Sequence, residues 1–211
     1  MPRNELLQRI NFLKQGIVGK DVKARLQEFK EVFNSSNERW FSELCFCLLT
    51  ANSSAESGIK IQNSLGFKGF SELSEKQLGF ELRKLGYRFY NRRAEFIVSA
   101  RNHYQIKDNV LSFGNENEAR LWLVENFKGL GFKEASHFLR NVGFKNVAII
   151  DRHVLSVLSE NDFLKTKPKT ISPKTYMEIE KQLEEICGKT GLSQGELDLY
   201  LWYMKTGKVL K

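Results

Sequence analysis

The chain has 211 residues, 41% of them hydrophobic, enough to fold as one domain or as two small lobes sharing a core rather than stay disordered. Its 33 lysines and arginines exceed its 25 aspartates and glutamates, a net charge of +8 that favours a polyanionic partner, nucleic acid first; a basic protein with no such partner is the bland alternative. The longest apolar run, Leu44 to Leu49, falls far short of the roughly 20 residues a membrane-spanning helix needs, and the N-terminal MPRNELLQRI carries charges where a secretion signal needs an apolar stretch.

Helix-start signals punctuate the chain. Ser35 with Glu38, Ser53 with Glu56, Ser74 with Gln77 and Ser193 with Glu196 each fit a capping box, in which side chains satisfy orphan backbone N–H groups. Asn115 with Glu118 is a looser version, and Ser172 before Pro173 fits an N-cap followed by proline at the first helical position. Proline is otherwise scarce and long alternating strand patterns are absent. The predicted elements, in chain order, are helices over 4–15, 20–33, 37–49, 54–65, 74–85, 90–106, 116–126, 133–142, 151–159, 173–188 and 194–206. The segment 160–172 is polar, lysine-rich and aperiodic, and reads as a loop. The fold class is therefore all-α. A weak internal echo relates LGYRFYNRRAEFI (85–97) to LGFKEASHFL (130–139), both read as turns between helices.

The three cysteines, Cys45, Cys47 and Cys187, are an odd number without a secretion signal, which fits a reducing compartment. Cys45 and Cys47 point about 200° apart on their helix and read as small core residues. His103, His137 and His153 lack metal-ligand spacing, so no metal or other cofactor is expected.

The strongest signal is residues 127–153, FKGLGFKEASHFLRNVGFKNVAIIDRH. A tight Gly129-Leu130-Gly131 turn joins two helical patterns, Lys133 lies just past it, and the apolar run Val147, Ala148, Ile149, Ile150 leads to Asp151. Gly-Leu-Gly alone would be an ordinary turn between helices. With the lysine and the spaced aspartate, the segment resembles the helix-hairpin-helix of the base-excision DNA glycosylase superfamily, and a lysine at this position resembles its bifunctional members, which remove a base and then cut the strand. The resemblance implies that backbone N–H groups of Gly129, Leu130 and Gly131 meet a DNA phosphate, where a side chain would block the approach. The superfamily usually places proline where this chain has Lys128, which adds a cation beside that phosphate. Arg88, Arg92 and Arg93, with Lys84, cluster near a second turn and would track phosphates on the opposite flank; a solvated basic helix end is the other reading for each.

The catalytic residues implied are Lys133 and Asp151. A lyase needs an uncharged amine to attack the sugar C1′. The positive end of a helix, partial burial and a neighbouring cation such as Lys128 all push a lysine that way. Asp151 would stabilise positive charge developing on the sugar and help move the proton, while also making a good N-cap for the helix after it.

ELCFCLLTANSSAESG (43–58), the hairpin and the terminal LYLWYMKTGKVLK narrow the resemblance to the type 2 subfamily of 8-oxoguanine DNA glycosylase/AP lyases, small prokaryotic enzymes without an iron–sulfur cluster. That implies two helical lobes, with damaged DNA and its flipped base bound in the cleft between them. The expected division is 34–134, a central lobe ending in the hairpin, and 1–33 with 135–211. Leu197, Tyr200, Leu201 and Met204 share one face of the last helix and read as core. Asp198 and Trp202, about 40° apart on another face, would accept the N1–H and 2-amino donors of the base and stack on its ring. A solvated face for Asp198 and plain packing for Trp202 are the other readings. The resemblance implicates Lys211, at the end of the chain, in telling 8-oxoguanine from guanine, and Phe89 is a candidate wedge or pocket wall. The partner implied is double-stranded DNA containing oxidised guanine, bound by a monomer in a prokaryotic cytoplasm. A related glycosylase for another lesion and a non-catalytic hairpin that grips DNA are the competing functions.

Overall fold

A computed structural model describes residues 2–211, and it is all helical: twelve α-helices and one 3-10 turn among the described residues. The chain divides into two compact units, Met1–Lys30 with Gly143–Lys211, and Glu31–Val142. The boundary expected at 134 falls inside a helix that lies whole in the second of these units. No helix among the described residues is long and apolar enough to cross a membrane.

The Glu31–Val142 unit is built around α3 (Asn37–Thr50), buried on every side from Trp40 to Thr50. A helix apolar all round belongs in the middle of its unit, and α4 (Ala55–Glu72), α6 (Tyr90–Ala100), α7 (Ile106–Leu111) and α9 (Phe132–Asn141) pack against it. Cys45 and Cys47 are fully buried on opposite sides of α3, and burial pushes the Cys45 thiol up. One acid sits in this core. Glu43 is 1% exposed and accepts from Gln62 Nε2 at 3.1 Å and Asn141 Nδ2 at 3.3 Å, the hydrogen bonding a buried carboxylate requires. The remaining helices of the unit are α5 (Glu75–Lys84) and α8 (Glu116–Asn126), which pack on α6 and α9 respectively.

In the other unit, α1 (Pro2–Gln15) packs on α11 (Pro173–Thr190), and α12 (Gln194–Thr206) packs on both α11 and α10 (Arg152–Glu160). The apolar run Val147–Ile150 is buried but not helical, so its backbone needs outside partners. Side chains of α11 supply them: Tyr176 Oη donates to the Ala148 carbonyl (2.7 Å) and accepts from Ile150 N–H (3.2 Å), while Glu180 Oε1 accepts from Ala148 N–H (3.2 Å). This fixes the strand of chain that delivers Asp151 to the start of α10.

Several expected starts shift by one residue. Ser36 and Ser54, not Ser35 and Ser53, cap α3 and α4; Ser35 Oγ instead donates back to the Val32 carbonyl. Ser74 with Gln77 forms the full reciprocal box, and Asn115, Ser172 and Ser193 accept first-turn N–H groups as expected. The helix expected over 54–65 runs on to Glu72 across a break at Gly66 (φ 58°, ψ −173°). The helix expected over 90–106 stops at Ala100 and is followed by a 3-10 turn and the short α7, which the sequence reading did not separate. Both echoing segments, 85–97 and 130–139, begin in turns between helices as expected, but the turns are built differently. Gly86 (φ 83°) ends α5 with paired bonds, Gly86 N–H to Arg83 O and Tyr87 N–H to Leu82 O, whereas Gly131 begins α9.

The capping geometry makes a comparison testable. Ser74→Ala should lower unfolding stability by about 1 kcal/mol, while Ser36→Ala, whose side chain makes no cap bond, should stay within about 0.5 kcal/mol. Urea midpoints that rank the two the other way round would contradict the assignment.

Candidate active site

The hairpin joins α8 to α9. Of its glycines only Gly129 is left-handed, with φ 86°; Gly131 is extended (φ −97°, ψ −176°), a conformation any residue adopts. Gly129 is constrained twice, because a Cβ there would come within 2.4 Å of the Phe96 ring of α6. Leu130 is buried and donates its N–H to the Phe127 carbonyl (3.2 Å). Gly131 N–H goes to Glu134 Oε2 at 3.3 Å. The backbone N–H groups of Gly129, Lys133 and Glu134 have no protein acceptor among the described residues. Those at Lys133 and Glu134 are first-turn donors of α9, the ordinary setting for a bound anion.

Lys133 is the second residue of α9, with a third of its side chain exposed and its Nζ 3.3 Å from Glu134 Oε1. Beyond it α9 is buried from Ala135 to Asn141, so the lysine stands at the one open end of an otherwise enclosed helix. Arg120 of α8, itself buried, lays its guanidinium over the Phe132 ring at 5.4 Å and donates to Ser136 Oγ at 3.1 Å, which ties α8 to that first turn.

Around the hairpin, Lys128 is exposed and 3.7 Å from Glu95. An open groove brings Lys128 and Gly129 together with Asn91, Arg92, Glu95 and Phe96. Arg92 lies over the Phe96 ring (5.6 Å) and exposed Arg88 over that of Phe89 (4.4 Å), both with guanidinium faces that reach solvent. Arg93 departs from expectation. It is 6% exposed and its Nη2 donates to the Ala51 carbonyl (2.8 Å) at the end of α3, so it closes a helix C-terminus and is no phosphate contact. Its position one residue after Arg92 turns it to the packed side of α6, which periodicity alone could have shown.

In the other unit, Asp151 is the N-cap of α10. Its Oδ1 accepts from His153 N–H (2.8 Å) and Val154 N–H (2.9 Å), while Oδ2 makes no protein hydrogen bond among the described residues. The His153 ring stands edge-on to Trp202 of α12, centroids 6.4 Å apart at 79°. Asp151 and half-exposed Trp202 are thus linked through His153, a residue the sequence reading had weighed only as a metal ligand; its place two residues after Asp151, on the first turn, was the available signal. Asp198 is 6% exposed, which excludes a solvated face, and Leu197, Tyr200 and Leu201 are buried core as expected, with Met204 half-buried. Lys211 and Phe89 are half-buried. The Cys187 thiol is pushed up to about 12 by burial and by the Glu184 and Glu196 carboxylates, so it stays protonated. No cluster of three or more His, Cys, Asp or Glu side chains suited to a metal ion occurs among the described residues.

The Phe96 contact predicts that Gly129→Ala destabilises the protein by at least about 2 kcal/mol, from the left-handed backbone and the blocked ring together. Gly131→Ala, at an extended position, should cost clearly less. Equal losses in thermal unfolding would refute the distinction.

The protein family described as 8-oxoguanine DNA glycosylase matches residues 22–192. An 8-oxoguanine DNA glycosylase/AP lyase of Methanocaldococcus jannaschii is 53% identical over 206 residues, spanning 98% of this chain and 99% of that protein. One from Korarchaeum cryptofilum is 51% identical over 209 residues, spanning 99% of each. Among solved structures, the M. jannaschii 8-oxoguanine glycosylase/lyase in complex with 15mer DNA containing 8-oxoguanine matches with a TM-score of 0.96 at 53% identity, covering 98% of this chain and 100% of that one. The 8-oxoguanine DNA glycosylase of Thermotoga maritima matches with a TM-score of 0.93 at 40% identity, covering 99% and 100%. With a left-handed hairpin, a first-turn lysine and end-to-end relatives that share the fold, the chain belongs to the 8-oxoguanine DNA glycosylase family.

Proposed function

We propose that this protein is a bifunctional repair enzyme that excises 8-oxoguanine from double-stranded DNA and then cuts the strand at the abasic site. The observation that carries this reading is the hairpin: a left-handed Gly129 pinned against Phe96, followed at once by a helix whose first turn offers free N–H groups and Lys133. The N–H groups of Gly129 and of the first turn of α9 hold a backbone phosphate, with Lys128, Arg88 and Arg92 adding sequence-independent attraction.

Lys133 is the nucleophile. Its neutral amine attacks C1′; the bond from C1′ to the base breaks, and the departing base keeps the electron pair and takes up a proton. Opening of the sugar ring moves a proton to O4′ and leaves an imine between C1′ and Nζ. Loss of a C2′ proton then expels the 3′ phosphate, which nicks the strand, and water releases the lysine. Asp151 serves two ends at once: Oδ1 caps α10, and the unengaged Oδ2 leaves a carboxylate oxygen to stabilise cationic charge on the sugar. Trp202 stacks on the flipped base, buried Asp198 accepts its N1–H and 2-amino donors, Lys211 contributes at the end of the chain, and Phe89 forms a wall or wedge. The partner is double-stranded DNA bearing oxidised guanine. The chain acts as a monomer, so light scattering should give a mass near 24.5 kDa; a stable dimer would refute that.

Borohydride trapping on a duplex with one 8-oxoguanine tests the assignment. The wild type should form a covalent complex with the lesion and not with undamaged guanine, and Lys133→Gln should form none. Asp151→Asn should keep stability within about 0.5 kcal/mol, because an amide oxygen still caps α10, yet slow base release about 100-fold or more. DNA binding without any trapped complex or free base would leave a gripping hairpin, not an enzyme for this lesion.

A further inference from the structure

The residue after the lysine has a task of its own. Gly131 is the N-cap of α9 and has no side chain with which to cap anything, so the turn is closed from inside the helix: Glu134 reaches back to Gly131 N–H at 3.3 Å. The same carboxylate places its other oxygen 3.3 Å from Lys133 Nζ. Adjacent residues on a helix do not normally face each other. They do here because the backward reach of Glu134 carries its carboxylate past the side chain of Lys133. Glu134 is also the more enclosed of the pair, with 15% of its side chain exposed against 33% for Lys133.

We propose that Glu134 is the positioning residue of Lys133: one carboxylate ties the hairpin backbone to the lysine ammonium and so sets where Nζ points when the hairpin grips a phosphate. This rests on the reading of Lys133 as the nucleophile. A free lysine side chain at a helix start samples many rotamers, and a misaimed nucleophile loses rate steeply, on the order of 100-fold per ångström. Anchoring one oxygen on the backbone leaves the other at a fixed place, so the ammonium is drawn to a single direction. The carboxylate also suits its place electrostatically, since the N-terminal end of a helix favours negative charge. By occupying Gly131 N–H, it leaves the donors of Gly129, Lys133 and Glu134 for the phosphate. Other charged groups against α9 lie elsewhere: Arg120 on Phe132 and Ser136, and Glu43 at Asn141, the far end of the helix; Lys128 at the turn pairs with Glu95.

Glu134→Gln separates this role from helix capping, because the amide oxygen can still accept from Gly131 N–H while the charge facing Lys133 is gone. The measurement is the single-turnover rate of borohydride trapping at saturating 8-oxoguanine duplex, beside DNA affinity and thermal unfolding. In Glu134→Gln the trapping rate at saturating duplex should fall about 10-fold. Affinity and melting temperature should stay near wild type. An unchanged rate at saturation overturns the proposal, since Glu134 would then act as a cap alone. A slower rate that comes with a lowered melting temperature or weakened DNA affinity overturns the aiming role, since the hairpin itself would then be damaged. A wild type that traps nothing removes the parent reading of Lys133, and this one with it.

Discussion

A phenyl ring sets the geometry on which the rest of the site depends. Phe96 of α6 fills the space a Cβ at position 129 would occupy, so the turn closes on glycine in the left-handed region or does not close there at all. The contact binds the hairpin to α6, which packs on α5 and on the buried α3. From its second turn α9 is itself enclosed. Lys133 therefore extends from a rigid base on both sides, the turn before it and the buried helix after it. Precise placement of a reacting amine needs that kind of support, because a long side chain on a loose turn would dilute the attack geometry over many conformers.

The other unit solves a different problem for Asp151. The run Val147–Ile150 is as apolar as a core helix but is held extended, and α11 answers the backbone groups that a helix would have paired internally. Tyr176 works in both directions, donating to Ala148 and accepting from Ile150. Two side chains of α11 thus determine where the chain turns into α10 and where its N-cap carboxylate sits. The cap uses one oxygen for two N–H groups, which orients the carboxylate and leaves its second oxygen open. On the proposed role, capping and chemistry do not compete for the residue, because the cap leaves one oxygen for the chemistry.

Much of this was legible in the sequence, and the failures share a cause. Helices with strong local signals appeared where expected: Ser74 with Gln77, Ser172 before Pro173, Asn115 and Ser193 all cap as read. Asp151 was legible as a cap, and Gly129 as a turn glycine. What the sequence hid was decided by distant partners. The 90–106 pattern breaks at Ala100, where Arg101 turns back to the carbonyls of Phe70 and Leu73 and closes α4 instead of extending α6. Arg93 reads as one more cation beside Arg92, but it closes the end of α3 at Ala51, forty-two residues away. Consecutive serines, Ser35 with Ser36 and Ser53 with Ser54, offer two equivalent starts, and local pattern does not choose between them. The tie between Lys133 and Glu134 is written in adjacent letters, yet helical periodicity argues against it; only the missing side chain of Gly131 explains why Glu134 bends back.

Affinity and choice then come from different parts of the molecule. On the proposed roles, the net charge of +8 and the cations at the hairpin attract any duplex, damaged or not, because phosphates carry no information about a base. On the proposed roles, Trp202 offers a stacking face that guanine and 8-oxoguanine fill equally. Asp198 would accept N1–H and the 2-amino group, donors that both bases present. Neither contact can separate lesion from normal base, however tightly it binds. The difference lies at N7, which donates in 8-oxoguanine and accepts in guanine, and a fixed acceptor there penalises guanine by facing it with a second acceptor and no proton between. Among the proposed pocket residues that task would fall to Lys211, past the last turn of α12. Specificity would then rest on a short non-helical segment that follows directly on a largely buried helix.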